Sequence, residues 1–336
     1  MRKLVALLGA AVLTAGMFAG CTPSSASSSA AASSSSSTSK PSSSSVSSTS
    51  AAVSSSSLSS SSSASSTAAS TSASSSSASK ASSSPAAASS STTALKGTIK
   101  ASGSTSVEKL AKAFGEAFSA KNKNVTVEVQ GGGSGAAVTD VKNGVSEIGS
   151  LSRALKDTEK AEGFKEYQIA IDGIAVIVNP KNTVKDLTTE QIAKIFTGEI
   201  TNWKDVGGPD AAIVPIGREA GSGTRDGFEE IVKVKDKCKY TSELNETGQV
   251  KAQVAATEGA VGYISLGYVD NSIKAVSVGG VAPTTATVKD GTYKIQRPFM
   301  MITKQDASPL VKAFMDFILS AEGQKIVVDM KFVSIK

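Results

Sequence analysis

Three short stretches of this sequence place glycine and hydroxyl side chains just ahead of a helical pattern, and each has the chemistry to hold an anion. They are Ser102-Gly103-Ser104-Thr105-Ser106, Gly131-Gly132-Gly133-Ser134-Gly135 and Arg218-Glu219-Ala220-Gly221-Ser222-Gly223-Thr224-Arg225. Glycine lets backbone approach a ligand closely. Hydroxyls and the free N–H groups of a first helical turn donate to an oxyanion, assisted by the positive end of the helix dipole. Arg218 adds a planar fork of donors. A single Gly/Ser turn before a helix is usually only a cap. Three of them with an arginine describe a desolvated oxyanion pocket that needs little net charge. None is a nucleotide-binding P-loop, because no Gly-Lys-Ser/Thr follows, and neither Ser134 nor Ser222 sits in a Gly-x-Ser-x-Gly elbow.

Each stretch must be positioned by a strand before it and a helix after it. Residues 97–101 read as a short strand, and Val107, Leu110, Ala111, Phe114 and Phe118 then recur with a helical period. Thr105 and Glu108 have capping-box spacing. Val125, Val127 and Val129 alternate as in a strand, and a helix is expected over 136–142. Residues 212–217 read as a buried strand and 226–232 as the next helix. A further helix over 188–196 carries a Thr188/Gln191 capping box and leads to Gly198 and Trp203, the single Trp, which belongs in a core. Pro309 fits a first helical turn, with Leu310, Phe314, Phe317 and Ile318 on one face. This alternation is the signature of an α/β architecture.

Composition narrows the function. The chain has 336 residues, 35 Lys+Arg, 29 Asp+Glu, two Cys and no His. Without His there is no Ser-His-Asp or Cys-His pair, no imidazole proton shuttle and no usual zinc site. All 29 acids lie beyond residue 94, while Arg2, Lys3, Lys40 and Lys80 precede it, so the folding unit has 31 bases against 29 acids and a formal charge of +2. A nearly neutral unit poor in aromatics gives no electrostatic case for nucleic-acid binding.

The first 94 residues are set apart. Arg2 and Lys3 precede an apolar run ending at Gly20, the form of an export signal over 1–20. Phe18-Ala19-Gly20-Cys21 resembles a bacterial lipobox with Phe18 where Leu is preferred, and it marks Cys21 for lipidation. Between Thr22 and Ala94 only Lys40, Val46, Val53, Leu58 and Lys80 are not Ser, Ala, Thr or Pro. Such a tract cannot bury enough apolar surface to order itself. As a coil it would have an r.m.s. span of about 45–50 Å, suited to a tether. With Cys21 lipidated, Cys238 is a free thiol.

Taken in order, Ser-Gly-Ser-Thr-Ser-Val (102–107), Gly-Gly-Gly-Ser-Gly (131–135), Asp-Gly-Ile-Ala-Val-Ile-Val-Asn (172–179), Ile-Phe-Thr-Gly-Glu-Ile-Thr-Asn-Trp (195–203) and Arg-Glu-Ala-Gly-Ser-Gly-Thr-Arg (218–225) resemble the phosphate-binding lipoproteins of high-affinity phosphate ABC importers. The resemblance spans 97–336. It implies a type II periplasmic-binding-protein fold, two α/β lobes joined by a hinge with the ligand in the cleft. Lobe one is expected over 95–172 and 267–336 and lobe two over 173–266, with crossings near 172–174 and 262–267.

The resemblance further implies a non-enzymatic receptor, exported and lipid-anchored, monomeric, without cofactor or metal. It would trap inorganic phosphate by hinge closure and deliver it to a permease–ATPase complex. Thr105 and Ser106, beside Ser104, match the first-loop ligands, Ser134 the second, and Arg218, Ser222, Gly223 and Thr224 the third. One branch of the family has an Asp that accepts the proton of hydrogen phosphate; here Ser152 stands in its place. Asp172, ahead of an apolar run over 174–178, is the expected replacement, with Arg153 touching the anion or holding Asp172. The competing readings are a receptor for sulfate or molybdate, a phosphatase using Ser134 or Ser222, and a phosphate sensor or adhesin without a transporter.

Overall fold

Strand and helix alternate from the first described residues, as the spacing of apolar side chains requires. The structure is a computed structural model describing residues 94–336. The expected signal at 1–20, Cys21 and the tether up to residue 93 lie outside the described residues. In chain order the first half comprises β1 (Gly97–Gly103), α1 (Glu108–Lys121), β2 (Val125–Gly131), α2 (Ser134–Asn143), β3 (Ile148–Leu151), α3 (Asp157–Lys160), β4 (Lys165–Val178), β5 (Asp186–Leu187) and α4 (Thr189–Thr197). The second half comprises β6 (Val214–Arg218), α5 (Gly223–Ile231), β7 (Ser242–Leu244), α6 (Thr247–Ala256), β8 (Ala260–Ser265), β9 (Lys274–Ala275), β10 (Ser277–Val278), α7 (Thr285–Lys289), β11 (Gln296–Thr303), α8 (Pro309–Leu319) and α9 (Ala321–Asp329). Among the described residues no helix is long and apolar enough to cross a membrane.

The strands run β2-β1-β3-β11-β4-β8-β6-β7, with β9 also on β4. The first three are parallel, and β11 lies antiparallel between β3 and β4. β4 is shared by two lobes. Up to Gly173, opposite Gln296, it pairs with β11; from Ile174, opposite Ser265, it pairs with β8. β6 continues that second half parallel to β8 and β7. Each lobe buries its own apolar side chains. Ile99, Leu110, Phe114, Phe299 and Phe314 are among those filling one core, and Ile174, Val176, Phe196, Trp203 and Phe228 among those filling the other.

The second crossing differs from expectation. The chain does not return to lobe one at 267. β9 pairs with the lobe-two end of β4, β10 pairs with β5, and Val276, Val288, Tyr293 and Ile295 are buried with Trp203. The return comes where Ile174 N donates to Ile295 O at 2.7 Å and β11 begins. This segment has short strands and the turn Gly279-Gly280, so no strong period marks its partners. Its buried apolar side chains settle the assignment: Val276, Val288, Tyr293 and Ile295 pack with Trp203, and Tyr268 and Ile273 with Ile216 and Val250 of the same lobe. The two crossing strands, β4 and β11, are therefore direct neighbours.

Local signals fared unevenly. Thr188 and Gln191 form their capping box on α4, and Ser308 caps α8 with Pro309 in its first turn. Trp203 is fully buried, its Nε1 donating to Gly259 O at 2.8 Å. The Thr105/Glu108 box does not form. α1 starts at Glu108 without a side-chain cap, and Val107 N and Glu108 N both donate to Ser104 O at 3.0 Å. That tight turn replaces the cap and leaves the Thr105 hydroxyl available elsewhere.

α8 docks through Val311, Phe314, Met315 and Ile318 on lobe one. The Phe314 ring lies 5.1 Å from that of Phe118. Phe314→Ala should cost about 3–5 kcal/mol in urea unfolding, the usual loss for emptying an aromatic core site. A loss below about 1 kcal/mol would contradict this packing.

Candidate anion-binding site

All the predicted loops leave the carboxyl ends of parallel strands, where α/β sheets characteristically bind ligands. β1 delivers Ser104, Thr105 and Ser106; β2 delivers Ser134 as the first residue of α2; β3 delivers Ser152. From lobe two, β6 delivers Ser222, Gly223 and Thr224 at the start of α5, and β7 delivers Thr247 at the start of α6. Gly133 has φ 88°, a conformation glycine adopts without strain, and it turns the chain into α2.

These loops bring seven buried hydroxyls together: Ser104, Thr105, Ser106, Ser134, Ser152, Thr224 and Thr247. Ser106 Oγ lies 2.8 Å from Thr224 Oγ1 and 3.0 Å from Thr247 Oγ1. Thr105 Oγ1 is 3.1 Å from Thr247 Oγ1. Ser104 Oγ donates to Ser152 Oγ at 2.8 Å, and Ser152 N donates to Ser134 Oγ at 3.1 Å. Gly223 is required by space, since a Cβ there would come within 2.2 Å of Ser134 Oγ. Ser222 serves as the N-cap of α5, accepting from Arg225 N at 3.4 Å.

Arg218 supplies the charge. It is 2% exposed, and among the described residues no carboxylate pairs with it. Its Nε donates to Leu244 O at 3.0 Å, Nη2 to Asn245 O at 2.6 Å and Nη1 to Thr247 Oγ1 at 3.2 Å. Burial is the main cause pulling the guanidinium down to about 10. A buried cation with no counter-ion among the described residues, in contact with one member of a hydroxyl cluster, has the chemistry to receive an anion.

The lobes touch across this cluster. Besides the hydroxyl pairs, Gly135 N donates to Gly221 O at 3.0 Å, and Tyr268 OH donates to Thr105 O at 2.6 Å. Arg153 does not meet Asp172. Its Nε bonds Asp226 Oδ2 of α5 at 2.9 Å and its other nitrogens hold Glu159 at 2.6 and 2.7 Å, so it ties lobe one to lobe two through carboxylates.

Asp172 is in a different place from the expected cleft mouth. It lies within the continuous β4 at the crossing, fully buried. Oδ1 accepts from Ser265 Oγ at 2.9 Å and Leu266 N at 3.2 Å, and Oδ2 accepts from Arg297 Nε at 3.3 Å and Nη2 at 3.0 Å. Four donors occupy the carboxylate, so it is committed to the crossing between the lobes rather than to the hydroxyl cluster. Arg297 and Thr247 escaped the sequence reading. Thr247 follows the three-residue strand β7 without a glycine-rich loop, and Arg297 shows its role only across a sheet register, opposite Asp172.

Residues 61–322 match the model of the PBP superfamily domain. Phosphate-binding protein PstS of Bacillus subtilis is 34% identical over 245 residues, covering 71% of this chain and 81% of that protein. The chain belongs to the PstS family. PstS of Borreliella burgdorferi is 32% identical over 253 residues, 71% of this chain and 90% of its own length. Among solved structures, a putative phosphate ABC transporter substrate-binding protein with bound phosphate from Clostridium perfringens is 46% identical with a TM-score of 0.70, over 71% of this chain and 100% of that one. An ABC-type phosphate transport receptor from Vibrio cholerae is 35% identical with a TM-score of 0.60, over 70% of this chain and 99% of that one. The PstS-family chain thus has the two-lobed type II periplasmic-binding-protein fold that its motifs implied.

Burial pushes Asp172 from the ordinary 3.8 up to about 6, although Arg297 and the Ser265 and Leu266 donors work against the shift. The native state therefore takes up this proton before the unfolded chain does. The stability contribution of Asp172 is fully present below about pH 4 and is lost as pH rises through about 6. In carboxyl-resolved NMR, Asp172 should titrate near 6; a midpoint near 3.8 would contradict the burial argument.

Proposed function

We propose that this PstS-family chain is an extracytoplasmic receptor that binds inorganic phosphate between its two lobes and delivers it to an ABC permease. The observation that carries the proposal is Arg218, a buried guanidinium without a carboxylate among the described residues, whose Nη1 donates to Thr247 in a hydroxyl cluster drawn from both lobes. The named relatives are phosphate-binding proteins, and the solved neighbours are an ABC transporter substrate-binding protein and a phosphate transport receptor, which favours a carrier over a catalyst. Ligand residues in this reading are Ser104, Thr105, Ser106, Ser134, Gly223, Thr224 and Arg218, with Thr247 added, Ser152 behind them and Ser222 fixing the helix that presents them. Arg153 holds the lobes and Asp172 the hinge.

Hydroxyls both donate and accept, so the cluster can receive the proton of hydrogen phosphate. Ser152, where a related branch has Asp, takes part in that network. Closure moves the lobes about neighbouring strands β4 and β11, and the Arg153–Asp226 pair and the Tyr268–Thr105 bond fasten the closed form. Lipidation of Cys21 would hold the receptor at the membrane, with the Ser/Ala tract as its tether.

Each hydrogen bond from a charged group contributes about 1.5–3 kcal/mol. Arg218→Ala should therefore weaken phosphate binding by about a hundredfold or more in calorimetry, while Thr247→Val should cost about tenfold. Unchanged phosphate affinity in Arg218→Ala, or tight sulfate binding by a wild type indifferent to phosphate, would contradict the proposal.

A further inference from the structure

A second buried cation lies beside the site. Arg297, on β11 directly opposite Asp172, is 4% exposed. Asp172 engages its Nε and Nη2, while Nη1 is buried and has no partner among the described residues. Buried donors without partners are rare in folded proteins, and each asks for an explanation.

Helix α5 places this guanidinium relative to the hydroxyl cluster. Gly223 and Gly227 lie four residues apart on one face, about 6 Å along the axis. A Cβ at Gly223 would strike Ser134 Oγ, and a Cβ at Gly227 would stand 3.5 Å from Arg297 Cδ. The Arg297 stem therefore packs about one helical turn below the point where Ser134 and Thr224 gather. The charge on Arg297 is also among the causes that hold Arg218 below its ordinary value. Tyr263 faces the same region, its hydroxyl accepting from Arg218 N at 3.3 Å.

We propose that Arg297 is a second cation of the anion site, held by Asp172 as its resident counter-ion and determining affinity for doubly charged ligands. Arg218 meets the ligand within the hydroxyl cluster, and Arg297 supports it from beneath with a charge that Asp172 only partly offsets. The pair has a mechanical duty as well, since it joins both crossing strands and, through Ser265 and Leu266, the end of β8. The two duties separate by sign. If the pair is only a staple, removing either partner harms closure and weakens binding alike. If Arg297 supplies charge to the ligand, removing it weakens binding, whereas removing the negative charge of Asp172 strengthens it.

This inference rests on the phosphate reading above, and the test keeps the two apart. Phosphate affinity would be measured by calorimetry at pH 8 for wild type, Arg297→Met, Arg297→Lys and Asp172→Asn, with melting temperatures taken with and without phosphate. The expected results are a loss of at least tenfold in Arg297→Met, partial recovery in Arg297→Lys, and binding at least as tight as wild type in Asp172→Asn. Affinity within a fewfold of wild type in Arg297→Met, or weakening in Asp172→Asn alongside it, would overturn the role. If Arg297→Met does not fold, Asp172→Asn alone decides: tighter binding supports the role and weaker binding overturns it. A wild type that takes up no phosphate would contradict the proposed function itself.

Discussion

An arginine buried without a carboxylate is the constraint around which this molecule is arranged. Arg218 sits in a medium that disfavours its charge, and backbone carbonyls and one threonine only partly replace water. Paired arginines elsewhere show the contrast. Arg153 holds two carboxylates, Arg225 holds Glu229, and Arg297 holds Asp172. Arg218 alone among these four has no carboxylate partner among the described residues, which in the proposed reading leaves its charge for the ligand. The hydroxyls of the cluster then have a common purpose, because each can donate to an anion or accept its proton.

Holding such a site together requires backbone to come unusually close. Gly223 admits the Ser134 side chain from the opposite lobe, and Gly103 leaves room for Ser150 O, which a Cβ would approach to 2.2 Å. β1, β3, β6 and β7 aim their carboxyl ends at one cleft, so the loops need only short reach. β4 and β11 are the two strands that pass between lobes, and their neighbouring positions make a narrow pivot. The carboxylate of Asp172 at that crossing gathers donors from β11 and from the end of β8. Hinge and site are thus linked through side chains, with Arg297 belonging to both.

Much of this was legible from sequence because the decisive signals are local. Gly-Gly-Gly-Ser-Gly and Gly-Ser-Gly-Thr carry their geometry within five residues, and the strand–loop–helix repeat around them is periodic. What escaped depends on distant partners. Asp172 looked like a strand-end ligand until Arg297, 125 residues later, was seen to occupy it. Arg153 looked free to serve Asp172, but Glu159 and Asp226 claim it. Thr247 has no glycine-rich neighbour to advertise it. The segment between Gly267 and Ile295 carries weak periodicity, and only the core it fills reveals its lobe.

The account stands on one location, the hydroxyl cluster that Arg218 reaches through Thr247. Co-crystallisation with arsenate, a phosphate analogue with a strong anomalous signal, would test that location directly. The arsenic peak should lie where its oxygens reach Arg218, Ser106 and Thr224 at about 2.7–3.2 Å. A peak elsewhere in the molecule, or an arsenate that leaves Arg218 untouched, would contradict it.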